Sequence, residues 1–156
     1  MDKRLRRIAD FLLAHPKDRP VNPTSIGAGS LPYVFVLDIE QGTKDSIRLR
    51  VRLTGTSFDG VFRRSLVGQY LDSFMHGPRS SDVLAGFLTC AQTHQTMWMR
   101  QVVALGNGLP RYVEGVVSFV APNRLYGGMV TGETATHASP SSFESSVLER
   151  EAIAAA

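Results

Sequence analysis

A single cysteine, Cys90, stands in the 156 residues, so no internal disulfide can form and the chain suits a reducing compartment. No stretch approaches the roughly 20 consecutive apolar residues of a membrane span. The basic start (Lys3, Arg4, Arg6, Arg7) is followed by no long apolar run and no small-residue cleavage site. It does not read as a secretory signal, and a cytoplasmic location is expected. The histidines are few and scattered: His15, His76, His94 and His137 show no His-x-x-x-His spacing, and no metal site is expected. There is no Gly-x-Ser-x-Gly elbow and no phosphate-loop lysine. Gly106-Asn-Gly108 runs into Leu109-Pro110 and reads as a turn, not a dinucleotide loop. Asp59, Asp72 and Glu114 form no obvious acid–base pair. These absences argue against an enzyme, and no catalytic residue is expected.

What is present fits one domain of ordinary size with a sizeable core. Residues 1–64 carry 12 Lys/Arg and 7 Asp/Glu, a net +5, whereas residues 65–156 carry 5 and 7, a net −2. A basic half can attract nucleic acid. No helix-turn-helix or aromatic-basic RNA signature accompanies it, so a solvated surface is the simpler reading and no nucleic-acid partner is expected.

Leu5, Ile8, Ala9, Leu12 and Leu13 share one stripe, which predicts an amphipathic helix over 2–14 that ends at His15-Pro16. The short helix lacks an aromatic pair to anchor it at a membrane surface. The segment 17–32 is rich in Pro and Gly, with a helical turn near Thr24–Ile26. High β propensity predicts a strand over 33–40, and a polar turn makes it a hairpin with the next strand, 47–54. In that second strand Leu49, Val51 and Leu53 fall on one face and Arg48, Arg50 and Arg52 on the other. Gly55 ends it. Thr56 or Ser57 can cap a short helix near 56–64 that carries Phe58, Val61 and Phe62. Ser80 or Ser81 can cap a longer helix to about His94, striped with Val83, Leu84, Phe87, Leu88 and Ala91. Strands over 97–105, 111–120 and 124–131 follow at short intervals, which favours antiparallel neighbours. Residues 132–145 read as a Ser/Thr-rich linker. The capping-box spacing of Ser146-Val-Leu-Glu149 predicts a last short helix from about Val147. The chain thus divides into an N-terminal helix and linker (1–20), a folded unit (21–132) and a flexible tail (133–156).

The predicted architecture is α+β. A five-stranded antiparallel sheet has helices inserted between strands two and three, plus an N-terminal amphipathic helix. That order is the PAS order. Asn22-Pro23, Leu31-Pro32, Arg50-Val-Arg-Leu-Thr-Gly-Thr56 and Gly68-Gln-Tyr-Leu-Asp72 resemble one bacterial subfamily of single PAS-like domains, known mainly from alphaproteobacteria. The resemblance spans roughly 21 to 132. It departs at Asn22, where the family pattern has Asp, and at Gln69, where a basic residue is common. The resemblance implies a sensory or signalling module that holds a small ligand or cofactor between sheet and helices, or acts through dimer contacts. With no output domain in the chain, output passes through a homodimer or a partner protein.

The ligand-site expectation falls on Phe58, Phe62, Tyr70, Phe74, Phe87 and Trp98, with Thr54, Thr56 and Gln101 as further polar anchors beside Tyr70. The same aromatics can equally make a filled core. The dimer or partner expectation falls on Leu5, Ile8 and Leu12, and on the basic stripe Arg48, Arg50 and Arg52. The alternative for the helix is that it covers its own sheet. Cys90 reads as packing: Thr89-Cys90-Ala91-Gln92 lacks the run that surrounds a flavin-adduct cysteine. His94, near a helix C-terminus, suits the helix dipole better than a haem. No cofactor is assigned.

Overall fold

The computed structural model describes residues 1–75, 78–105, 109–134 and 143–149. Helix α1 spans Lys3–Ala14, and Asp2 caps it by accepting from the Arg4 backbone N–H at 2.8 Å. Strands β1 (Val34–Gln41) and β2 (Ile47–Thr54) form the expected hairpin. Three helices follow: α2 (Ser57–Phe62), α3 (Leu71–Phe74) and α4 (Pro78–Thr93). Then come β3 (Met97–Leu105), β4 (Leu109–Val120), β5 (Arg124–Thr134) and β6 (Phe143–Val147).

The sheet is antiparallel and open, in the order β2-β1-β5-β4-β3-β6. It has six strands, not the expected five. The sixth replaces part of the predicted linker and the start of the predicted last helix. Phe143 pairs with Gln101 and Val147 with Met97, so the capping-box spacing at Ser146 does not start a helix there. Pairing with the free edge of β3 outweighs that local helix signal. Residues 150–156 of the predicted helix lie outside the described residues.

Each face of the sheet carries its own core. On the inner face, α2, α3 and α4 pack through Phe58, Leu71, Cys90 and Ala91 against Phe35, Leu37, Leu49, Val51, Met99, Val117 and Leu125. On the outer face, α1 packs through Leu5, Ile8, Ala9 and Leu12 against Val34, Val36, Val116, Tyr126 and Val130. Gly127 and Gly128 serve the two faces in turn. A Cβ at Gly127 would strike the Phe35 ring and the Val116 carbonyl, and one at Gly128 would strike Ile8.

Three local expectations change. The pairing of β1 with β2 slips by one residue between Val36 and Leu37, so Arg52 is an extra residue, a β-bulge. The slip turns Leu53 to the outer core, away from Leu49 and Val51 on the inner one. Helix α4 starts at Pro78, ahead of Ser80 and Ser81, because proline suits a first helical position and lacks only an N–H that would go unpaired there. Thr56 precedes α2 but its side chain does not cap it, and the Ser57 hydroxyl donates instead to the Pro32 carbonyl. Gly55 lies close under that carbonyl, where a Cβ would collide with the backbone of Leu31 and Pro32.

Candidate functional site

On the inner face the expected aromatics form a chain of contacts. Phe87 meets Phe35 edge-on at 5.6 Å, and Phe35 meets Phe58 edge-on at 6.0 Å. Phe58 stacks on Phe62 at 6.4 Å, and Phe62 meets Phe74 edge-on at 6.2 Å. The chain passes over Gly127 in mid-sheet at Phe35 and ends at Phe74, under the Arg64 guanidinium at 5.8 Å. Phe58 is buried, while Phe62, Phe74 and Phe87 are half-buried. Ring pairs of this geometry contribute beyond their buried area, at about 0.5–1.5 kcal/mol each. Four of the expected site residues are thus brought together, with Phe35 as the hub that sequence reading left out.

The remaining members separate from them. Tyr70 is not in the inner space. Residues 68–70 run along the free edge of β2, Tyr70 bridging Arg50, and its hydroxyl donates to Glu40 at 2.7 Å on the outer side. The Arg48 guanidinium lies 3.8 Å above its ring. Trp98 alternates with the inner residues Met97 and Met99 and pairs with outer-face Val116, so it too faces outward. Its indole N–H is buried with no acceptor among the described residues, as is Nε of Arg100, whose guanidinium lies 5.6 Å from the Trp98 ring. Gln101 keeps the inner parity beside Phe143, and Thr54 the inner parity beside Phe35. Thr56 is exposed.

The partner residues also resolve differently. Leu5, Ile8 and Leu12 are fully buried against the chain's own sheet, so the stripe is not an exposed dimer surface. The driving force is the same apolar burial a dimer would use, satisfied within one chain. Nor is the arginine stripe unpaired. Arg48 makes two bonds to Asp72, at 2.9 and 2.7 Å, and Arg50 reaches Glu40 at 2.9 Å. The Arg48 pairing holds the Asp72 carboxyl below its usual range. Arg52 and Arg124 share Asp38, at 3.3 and 3.0 Å.

A half-buried lysine and a buried cysteine lie outside the ligand and partner expectations. Lys17, just past α1, donates to the Leu12 carbonyl and Thr96 Oγ1, both at 3.1 Å, and to Ser118 Oγ. Thr96 and Ser118 are themselves 2.8 Å apart and buried. Burial lowers the Lys17 pKa from its ordinary value. Nothing in the sequence around Lys17 marks it. The Cys90 thiol is fully buried in the inner core, and burial pushes its pKa up to about 12, so it is the packing residue expected of it. His94 ends α4 in the left-handed conformation and stacks on Phe119 at 3.6 Å. Among the described residues no three His, Cys, Asp or Glu side chains group as metal ligands, and no helix is long and apolar enough to cross a membrane.

The class these features define is an α+β domain with an open antiparallel sheet covered on both faces by its own helices. No family model matches the chain, and no curated protein or solved structure is significantly similar to it.

Proposed function

We propose that this chain is a PAS-like signalling module without catalytic activity. It would accept a small, mostly apolar ligand among the inner-face aromatics, or engage a partner protein, and pass the signal on through a dimer or that partner. The observation that carries the reading is the placement of α2, α3 and α4. All three are inserted between β2 and β3, and all pack on one face of the antiparallel sheet. The half-buried end of the aromatic chain, Phe62 and Phe74, is where a ligand would enter, by parting rings that otherwise fill the space. A dimer would use surface other than the Leu5/Ile8/Leu12 stripe, which is consumed within the chain. The pairing of Arg48, Arg50 and Arg52 with carboxylates weighs against a nucleic-acid-binding stripe.

Native mass spectrometry of the protein purified from its own host tests this reading. The expected result is a defined extra mass, or a dimer or partner complex, with any extra mass lost in Phe62→Trp while the fold survives. A bare monomer that co-purifies with no partner would overturn it.

A further inference from the structure

A concavity lies on the outer face, where α1 leaves the β1–β2 end of the sheet uncovered. It is a cleft of about 520 Å³. Its lining is mixed: Leu53 and Val21 are half-exposed at its wall, Val36, Val120 and Tyr126 lie almost fully buried at its base, and arginine and backbone supply the polar part. Leu53 lines it only because the bulge at Arg52 turns the end of β2 over. The Tyr126 hydroxyl is committed to the Pro23 carbonyl at 3.2 Å, so the floor adds no negative charge of its own. Both arginines at the rim, Arg52 and Arg124, bind Asp38.

The charge balance here differs from that of the rest of the stripe. Arg48 pairs with Asp72 and Arg50 with Glu40, one cation to one anion. At the cleft, two guanidiniums share the single carboxylate of Asp38. That carboxylate takes Nε of Arg124 and one terminal nitrogen of Arg52. Each arginine keeps a further pair of N–H donors in the fork geometry that suits a second carboxylate or phosphate. A cavity in the volume range of small-ligand sites, with half-exposed Leu53 and Val21 on its wall and, among the described residues, two cations sharing one anion at its edge, favours a small anion that carries a short apolar part.

We infer that this cleft is a binding site for a small anionic amphiphile, its carboxylate or phosphate on Arg52 and Arg124 and its short apolar part against Leu53 and Val21, next to buried Val36 and Val120. The site is independent of the inner-face aromatics. The cleft also includes Val21 and Pro23, from the segment that ties α1 to the sheet, so occupancy would brace that segment.

Sodium octanoate is the probe, followed by methyl and amide NMR. The expected result is a saturable shift at Val36, Leu53 and Val120, absent with octylammonium, which has the same tail and the opposite charge. Hexanoate should bind more weakly than octanoate, by less than the roughly fourfold per methylene of a fully buried chain. Arg124→Gln should weaken octanoate binding by about tenfold or more. Arg52→Gln provides the same reading should the first variant fail to fold, and octyl phosphate compares the two headgroups. The inference is overturned if octanoate shifts do not saturate, if octylammonium matches them, or if saturable shifts appear only at inner-face Leu49, Val51 and Met99. That last pattern would leave the inner-face reading standing, and absence of octanoate binding at both faces would overturn the cleft alone, because the inner-face reading is tested by native mass spectrometry.

Discussion

The two faces of this sheet are covered by opposite strategies. The inner face uses two short helices, one longer helix of 16 residues and a chain of phenylalanines that reaches the surface half-buried. The outer face uses one regular helix, whose aliphatic stripe is sealed at zero exposure, and leaves the rest of that face to arginine–carboxylate pairs. A regular helix on a flat aliphatic surface interlocks in one way. The two short helices α2 and α3, which carry Phe58, Phe62 and Phe74, can part and repack at lower cost. On the proposed reading, a guest of the inner face would enter by rearrangement of α2 and α3, and one of the outer face only where α1 stops.

The sharpest break of this contrast is truncation in each core. Phe58→Ala should destabilise by about 3–5 kcal/mol, and Leu12→Ala by about 2–5 kcal/mol, in urea unfolding. Native-state hydrogen exchange then separates them. Leu12→Ala should raise exchange in α1 while sparing α4, and Phe58→Ala should do the reverse. Equal loss of protection in both helices would show a single cooperative core and erase the distinction. Phe62→Trp comes next. If its surroundings are filled, overpacking should cost about 1–3 kcal/mol. A cost near zero would mean that space for a larger ring already exists beside Phe62, which strengthens the inner pocket.

Lys17 probes the seam between α1 and the sheet. Its folded pKa is lowered from 10.5 by burial, so between the folded and unfolded values the unfolded chain holds more protons. Stability from this group therefore rises with pH toward 10.5. The stability difference between wild type and Lys17→Met should shift in favour of wild type from pH 7 to pH 10, read from urea midpoints. Cys90 and Tyr126, both pushed up to about 12 by burial, lower stability above their ordinary values of 9.0 and 10.0. They do so in both proteins and largely cancel in the difference. A pH-independent difference would show that the Lys17 ammonium is as well solvated in the fold as out of it.

The elements were more legible than their facing. Periodicity placed α1 and β2 within a residue or so, because each has an uninterrupted stripe or alternation. It failed at Leu53, since a bulge inverts parity without any change in composition. It failed at Tyr70 and Trp98 for a related reason: high apolarity says that a ring will be covered, not from which side. β6 was hidden because Phe-Glu-Ser-Ser-Val has no clean alternation and owes its form to the β3 edge. The outer cleft was illegible altogether. It needs Asp38, Arg52 and Arg124, from three strands, and only the register of β1 against both neighbours brings them together.

The smallest expected effect concerns the arginine lattice itself. Arg50 and Glu40 are both substantially exposed, so Arg50→Gln should cost less than about 1 kcal/mol in urea unfolding, with the loss shrinking further in high salt. Glu40 keeps its bond from the Tyr70 hydroxyl, so the carboxylate is not left bare. The same substitution should leave octanoate binding unchanged, because Arg50 is already matched one to one, whereas Arg52 and Arg124 share a single acid. If Arg50→Gln weakens octanoate as much as Arg124→Gln does, the anion is drawn by the summed field of the stripe rather than by the two-to-one pairing at Asp38. The outer cleft would then lose its claim to be a defined site, and the contrast between a sealed helix and an open corner beside it would reduce to a uniformly basic edge.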